Sequence, residues 1–210
     1  MSLEIHSFVL GPLENNTYLL ADAETGSAVI VDPAMGVQGI LPQIQAQGWM
    51  LQAVWLTHAH FDHTTGIAAL FNALGRKLPV GLHPADLDLY LQGGGAAGFG
   101  FHHRPGPQPS IQFAHADQLS VGNEILEVRH TPGHTPGHVI FYSPAAQSVL
   151  VGDVIFAGGV GRTDLPGGSW QQLRKSILDQ VFTLPPETRI FSGHGKETSV
   201  GVEQDTNPFF

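Results

Sequence analysis

The stretch Thr57-His58-Ala59-His60-Phe61-Asp62-His63 contains four potential metal ligands within six positions. It follows a short β-like apolar run at residues 53–56 and precedes apolar residues at helical spacing over residues 64–74. Buried imidazoles without a metal would need partners for many ring nitrogens and would have to suppress protonation. So dense a group therefore indicates metal binding rather than ordinary core histidines.

The positions of these ligands predict two adjacent metal sites. In an extended segment, residues two positions apart point to the same side, so His58 and His60 can bind one cation. The turn into the following helix directs Asp62 and His63 toward a second cation. Both sites would lie where the chain leaves a strand.

Three further candidate ligands, His134, Asp153 and His194, each follow a predicted strand directly after a glycine, which lets the backbone turn tightly. We expect His138, four positions after His134, to support a ligand rather than to bind metal. For Asp32, which precedes Pro33, we consider two roles equally: a hydrogen bond to a ligand histidine, or a plain Asp-Pro turn.

The composition of the 210-residue chain excludes several classes of protein. It has no cysteine, which removes disulfides, thiolate metal sites and cysteine nucleophiles. Its formal charge of −9 disfavours nucleic acid as a partner. No apolar run approaches the roughly 20 residues of a membrane span, and the amino terminus lacks the pattern of a signal peptide. We therefore expect a cytoplasmic protein without a membrane partner.

Strands and helices alternate in two similar halves. The first half has predicted strands at residues 3–10, 17–21, 28–31, 53–56 and 79–82, with helices at 36–48, 64–74 and 85–91. The second half has strands at residues 118–121, 124–129, 138–142, 148–151 and 189–191 and a helix at 170–182, with a hairpin turn at Gly122-Asn123. This order predicts an α/β (α+β) fold, a four-layer αββα sandwich, in one domain over residues 1–210.

The motif His-x-His-x-Asp-His, followed in order by distal His, Asp and His, resembles the metallo-β-lactamase superfamily along nearly the whole chain. The resemblance implies two divalent metal ions. One would bind His58, His60 and His134, the other Asp62, His63 and His194, with Asp153 bridging both. An all-His/Asp set suits zinc first, and iron or manganese would also accept it.

Within the superfamily, residues 153–164 and the ending Gly193-His194-Gly195…Asn207-Pro208-Phe209 resemble the small bacterial type II glyoxalase-like hydrolases. This resemblance implies a small-molecule substrate, an anionic thioester such as hydroxyacylglutathione. The expected nucleophile is a hydroxide shared by the two metals, with Asp62 both a ligand and a group that orients it. A thiolate with a parent pKa near 8.5 leaves without much help from an acid.

Some roles have more than one interpretation. Arg162 and Lys196 are candidates for binding an anionic substrate, with a surface ion pair and a solvated lysine as the respective alternatives. The Gly/Pro-rich residues 93–109, which include Phe99 and Phe101, form either a lid or a plain surface loop.

Two other functions compete with thioester hydrolysis. The segment Gly161-Arg162-Thr163-Asp164 also resembles iron-dependent persulfide dioxygenases of the same superfamily. A metal-stabilised binding protein without turnover is the third interpretation, disfavoured because structural zinc sites are usually closed.

Overall fold

Two six-stranded β-sheets packed face to face form the centre of the protein, in a computed structural model that describes residues 3–210. The first sheet has the order β1 (Leu3–Leu10), β2 (Asn15–Asp22), β3 (Ser27–Val31), β4 (Met50–Trp55), β5 (Val80–Leu82) and β6 (Ile111–Gln112). The second has the order β14 (Thr198–Ser199), β13 (Arg189–Ser192), β10 (Ser148–Gly152), β9 (Val139–Ser143), β8 (Glu124–His130) and β7 (Gln118–Val121). A small hairpin joins β11 (Ile155–Phe156) to β12 (Gly159–Val160).

Helices cover the outer faces of the sheets. Their bounds are α1 (Leu41–Ala46), α2 (Phe61–Thr64), α3 (Ile67–Leu74), α4 (Leu87–Leu91), α5 (Trp170–Ser176) and α6 (Val200–Thr206). No helix within residues 3–210 is long and apolar enough to cross a membrane.

Three apolar layers hold the four structural layers together. Strand β2 shows why, because alternate side chains of a strand point to opposite faces. Leu19 packs with the helices outside the first sheet, whereas Leu20 packs between the sheets. A third cluster, which includes Leu173 of α5, fills the space outside the second sheet. The chain therefore has the predicted four-layer αββα sandwich.

The ends of parallel strands determine where the candidate ligands lie. Strands β10 and β13 are parallel neighbours, so Asp153 and His194, which follow them, emerge at the same edge of the second sheet. Strands β3 and β4 are also parallel, which brings Asp32 beside Thr57 at the corresponding edge of the first sheet. The two edges meet at His63, which contacts Asp153 at 3.4 Å and Asp32 at 3.1 Å.

Several predicted helices are shorter or interrupted. The helix predicted over residues 36–48 is a 3₁₀ turn, Val37–Ile40, followed by α1. The helix predicted over residues 64–74 is preceded by α2 and begins only after Gly66, where a Cβ would lie 2.2 Å from the Ala34 carbonyl oxygen. The helix predicted over residues 170–182 ends in the π-helical turn Ile177–Val181 after α5. Strands β6, β11, β12 and β14 and helix α6 have no counterpart in the prediction.

Candidate metal centre

Three histidines from two segments form the first group of candidate ligands. One ring nitrogen from each of His58, His60 and His134 lies within 4.8 Å of the others. His60 Nδ1 and His134 Nε2 are 2.9 Å apart. The Nε2 atom of His58 is buried and has no hydrogen-bond partner. The group matches the first metal site that the family resemblance implies.

Asp62, His63 and His194 form the second group, again with ligand atoms within 4.8 Å of one another. Asp62 Oδ2 lies 3.4 Å from His194 Nε2 and 3.7 Å from His63 Nε2. The short helix α2 contains Asp62 and His63 and turns their side chains away from the first group. The predicted change from strand to helix at this point leads to the same direction.

Asp153 lies between the two groups. Its Oδ1 atom is 3.4 Å from His63 Nε2, and its Oδ2 atom is 3.6 Å from His134 Nε2 and 3.8 Å from His194 Nε2. One carboxylate therefore reaches both groups. This is the position that a bridging ligand requires.

The spacing of the donor atoms fits bound cations. With zinc–ligand bonds of about 2.0–2.1 Å, two ligand atoms of a tetrahedral site are roughly 3.4 Å apart. The contacts among these ligand atoms range from 2.9 to 3.8 Å. His63 Nε2 and Asp153 Oδ1 are also buried without hydrogen-bond partners, and such atoms are normally satisfied. The residues therefore fit two divalent cations.

His58 and His60 of the first group favour the neutral imidazole, which is the form that binds metal. Burial and the neighbouring histidines hold the pKa of His58 well below its ordinary value. Burial, with His134 nearby, lowers the pKa of His60 to about 3. Protons therefore compete weakly for these two rings near neutral pH.

Nearby carboxylates dominate the electrostatics of the second group. Burial alone would lower the pKa of His63, but Asp153 and Asp62 outweigh it and hold the pKa well above its ordinary value. Burial opposes ionisation of Asp153, yet the contacts with His63 hold its pKa below its usual range. The carboxylates of Asp62 and Asp153 therefore favour positive charge at this point, which a protonated His63 or a bound cation would supply.

Asp32 positions residues of both groups. Its carboxylate accepts hydrogen bonds from the backbone N–H of Thr57 at 2.8 Å and from the Thr57 hydroxyl at 2.6 Å. Its Oδ2 atom lies 3.1 Å from His63 Nδ1, so it orients that ring with Nε2 toward Asp62 and Asp153. Of the two roles considered for Asp32, the structure shows the contact with a candidate ligand histidine.

His138 contacts two of the candidate ligands and holds them in place. Its Nε2 atom accepts the backbone N–H of Asp153 at 3.1 Å, and its ring stacks on His58 with centroids 4.8 Å apart. Burial holds its pKa well below the ordinary value, so the ring is neutral. This is the supporting position predicted for it.

Asp86, which nothing in the sequence singled out, joins two ligand segments. Its buried carboxylate accepts hydrogen bonds from the backbone N–H of Ala59 and Gly137 and from the Thr135 hydroxyl, at 3.0, 2.6 and 2.7 Å. Ala59 separates His58 from His60 in the chain, and the other two residues follow His134. Asp86 therefore fixes the segments that carry the first group relative to each other.

Asn15 and Leu13 are also absent from the prediction. Asn15 Nδ2 donates to Asp62 Oδ2 at 2.9 Å, and His194 Nδ1 lies 3.1 Å from the Leu13 carbonyl oxygen. These contacts orient two ligands of the second group. Local sequence gives no signal for them, because Asn15 is 47 positions from Asp62.

The centre lies at the floor of a cleft of about 740 Å³. Arg162 lies on the cleft wall, and its guanidinium pairs with Asp164 at 2.7 Å. Its carbonyl oxygen lies 2.7 Å from His134 Nδ1. Lys196 is exposed and does not line the cleft. The other lining residues include Leu13, Phe61, Leu89, Gln92, Phe99, Phe101, Leu165 and Pro166.

Related proteins match this chain along nearly their whole length. The probable metallo-hydrolase YqgX of Bacillus subtilis (strain 168) is 39% identical over 204 residues, covering 95% of this chain and 94% of that protein. The hydroxyacylglutathione hydrolase GloC of Haemophilus influenzae (strain ATCC 51907 / DSM 11121 / KW20 / Rd) is 32% identical over 198 residues, covering 93% and 92%.

Several solved structures are also similar to this chain along nearly its whole length. The B3 metallo-beta-lactamase BLEG-1 superimposes with a TM-score of 0.90 at 32% identity, covering 98% of this chain and 99% of that one. TTHA1623 in a di-iron-bound form has a TM-score of 0.85 at 40% identity, covering 98% and 100%. ETHE1 from Myxococcus xanthus has a TM-score of 0.80 at 28% identity, covering 98% and 83%.

The family model agrees with the geometry of the centre. The model described as the metallo-beta-lactamase superfamily matches residues 10–194, a range that begins before the first ligand and ends on the last. Because this match spans most of the chain, the chain belongs to the metallo-β-lactamase superfamily.

Proposed function

We propose that this chain is a hydrolase that uses two divalent cations to cleave thioesters, with hydroxyacylglutathione as the first substrate to test. The position of Asp153 between two complete ligand groups, at the floor of one cleft, carries the proposal. It is supported by 32% identity to a relative named as a hydroxyacylglutathione hydrolase. Zinc is the proposed metal, and iron is the alternative that the di-iron-bound form of TTHA1623 supports.

Bound divalent cations would supply a water of pKa about 7 and polarise the thioester carbonyl. The chain's own residues orient the reacting groups. Asp62 lines the cleft and is fixed by Asn15, so its carboxylate can accept a hydrogen bond from the attacking water. Asp32 holds the ring of His63, so that its Nε2 atom stays directed toward Asp62. A thiolate product needs no acid, because its parent thiol has a pKa near 8.5.

Arg162 is the residue that we propose for binding an anionic part of the substrate. It lies on the cleft wall beside His134, and its side chain is about half exposed. A substrate carboxylate would either displace Asp164 from the guanidinium of Arg162 or bind that guanidinium together with Asp164. Lys196 lies outside the cleft lining, so a contact with substrate would require a ligand that extends beyond the cleft.

Persulfide dioxygenation is the second candidate function. The Gly161–Asp164 segment and the superposition with ETHE1 favour it. The complete second group favours hydrolysis, because one iron site would not require Asp62, His63 and His194 together. A metal-stabilised binding protein is disfavoured by the open cleft above the ligands.

The test combines metal content with turnover in one sample. Protein purified without added metal is analysed for zinc, iron and manganese and assayed with S-lactoylglutathione. Oxygen uptake with glutathione persulfide is measured in parallel, and a chromogenic cephalosporin is included because of the similarity to BLEG-1. We expect turnover of the thioester, abolished by chelation and restored by the removed metal.

Two results would contradict the proposal. One iron per chain with oxygen uptake and no thioester hydrolysis would assign the dioxygenase function. Fully loaded protein that hydrolyses none of the compounds would favour the binding protein. Asp205→Ala serves as the control variant for handling and metal content, because Asp205 is exposed and lies outside the cleft.

A further inference from the structure

Three phenylalanines, Phe61, Phe99 and Phe101, form an aromatic wall beside the metal centre. The ring centroids of Phe99 and Phe101 lie 5.7 and 6.0 Å from that of Phe61. All three residues line the cleft, yet Phe99 and Phe101 are 49% and 59% exposed. Large apolar side chains are usually buried, because burial stabilises the fold by about 1.5–3 kcal/mol for each. Exposed rings that border a cleft therefore indicate a binding surface.

The aromatic wall is fixed to the metal centre. Phe61 lies in the chain between the ligands His60 and Asp62, and its backbone N–H donates to the Gly94 carbonyl at 3.0 Å. Gly94 has a φ of +63°, and a Cβ there would lie 2.5 Å from the Ala59 carbonyl oxygen. The segment that carries the other two rings therefore begins in close backbone contact with the ligand loop.

The far end of the same segment is held as well. The Tyr90 hydroxyl lies 3.0 and 2.9 Å from the carbonyl oxygens of Pro105 and Pro107. The Thr64 hydroxyl lies 2.9 Å from His103 Nε2. Residues 93–109 are thus anchored at both ends. Between the anchors, Phe99 ends the 3₁₀ turn Ala96–Phe99 and Phe101 follows it two positions later. The wall is a built surface rather than a loose loop.

The remaining cleft lining offers few charges. Among the lining residues within residues 3–210, Gln92 and Arg162 are the polar ones besides the candidate metal ligands. The guanidinium of Arg162 already contacts Asp164. Leu13, Leu89, Leu165 and Pro166 extend the apolar surface around the wall. An apolar ligand group would bind here at a small cost in free energy, because few polar side chains would lose their contact with water.

We infer that the aromatic wall binds the acyl arm of the substrate, and that this arm carries an aromatic or similarly bulky apolar group rather than a methyl group. The inference rests on the proposed thioester hydrolysis. Because Phe61 lies between two candidate metal ligands, the group nearest the reacting carbonyl reaches the wall first. The thiol arm extends toward the solvent and Arg162.

A matched pair of compounds tests this inference without turnover. Mandelate and lactate, the acids released from the corresponding thioesters, differ only by phenyl in place of methyl. Their binding to metal-loaded protein is measured by calorimetry. We expect mandelate to bind about tenfold more tightly, and Phe99→Ala/Phe101→Ala to reduce the ratio to near one, because the ring loses its apolar partner surface.

The kinetic comparison uses the same pair as thioesters. We expect kcat/KM for S-mandeloylglutathione to exceed that for S-lactoylglutathione by about tenfold, a preference that the double variant loses. Phe209→Ala is the control, because Phe209 is also exposed but lies outside the cleft lining. Unchanged metal content confirms that the variants keep the centre.

The outcomes separate this inference from the proposed function. Hydrolysis of both thioesters without preference, with equal binding of both acids, would overturn the inference and leave the function standing. No hydrolysis, but wall-dependent binding of mandelate, would overturn thioester hydrolysis and retain the apolar site. Neither hydrolysis nor preference would overturn both.

Discussion

Asp32 shows how a single residue is adapted to this centre. Its backbone φ is +50°, a conformation that few residues other than glycine, asparagine and aspartate adopt. That turn directs its carboxylate to Thr57 and His63 at once. Backbone strain at a functional position persists when the surrounding contacts determine it, and three hydrogen bonds do so here.

Asp32→Asn should weaken cation binding at the second group by about 10–100-fold while the fold is kept. Asparagine tolerates the positive φ, but it lacks the charge that orients the ring of His63. Titration of metal-free protein with Zn²⁺ measures the affinity of each site, and Asp205→Asn is the matched control. Identical affinities in the two variants would show that Asp32 does not orient the ligand.

At the scale of elements, the ligand segments could be predicted from sequence because each depends on local order. His58, His60 and their neighbours follow a strand, and the next turn begins a helix. Asp86 could not be predicted, because its partners are 27 to 51 positions away. Contacts of that range depend on the packing of elements, which the hydrophobic pattern of one segment does not specify.

Asp86→Ala should destabilise the protein by about 3 kcal/mol, because it leaves two buried N–H groups and a hydroxyl without their acceptor. It should also weaken cation binding at the first group more than at the second. Denaturant unfolding and metal titration measure the two effects. Asp88→Ala changes an exposed aspartate two positions away and should leave both unchanged. Equal behaviour of the two variants would contradict the role of Asp86.

The whole-molecule architecture could be predicted because the order of strands and helices repeats in two halves. The hairpin turn predicted at Gly122-Asn123 is confirmed, because β7 and β8 pair antiparallel up to Val121 and Glu124. The aromatic wall could not be predicted as a fixed surface. Its rings lie in a Gly-rich segment without periodicity, and its anchors are hydrogen bonds to residues elsewhere in the chain, such as Thr64.

His83 should contribute to the pH dependence of stability. It stacks on His130 with centroids 4.1 Å apart, and burial together with His130 lowers its pKa to about 4. As the pH falls below 6.5, the ordinary pKa of histidine, His83 becomes protonated in the unfolded chain before it becomes protonated in the folded protein. The contribution of His83 is therefore full above pH 6.5 and is lost as the pH falls toward 4.

His83→Gln should accordingly lose less stability than the wild type between pH 7 and pH 5. Chemical denaturation of both proteins at the two pH values measures the difference. His130→Gln should have a smaller effect in the same direction, because it removes only the neighbouring imidazole and leaves the burial of His83 in place. A larger loss in His83→Gln than in the wild type would reverse the sign and contradict this account.

The most direct test of the two-cation centre is metal content per chain after loading and gel filtration. We expect about two metal ions in the wild type and in Asp205→Ala, and about one in Asp62→Ala, with most thioesterase activity lost only in the last. Asp62 belongs to the second group alone, whereas His58, His60 and His134 remain to hold the first cation. One ion per chain in the wild type, or two ions with full turnover in Asp62→Ala, would contradict the account.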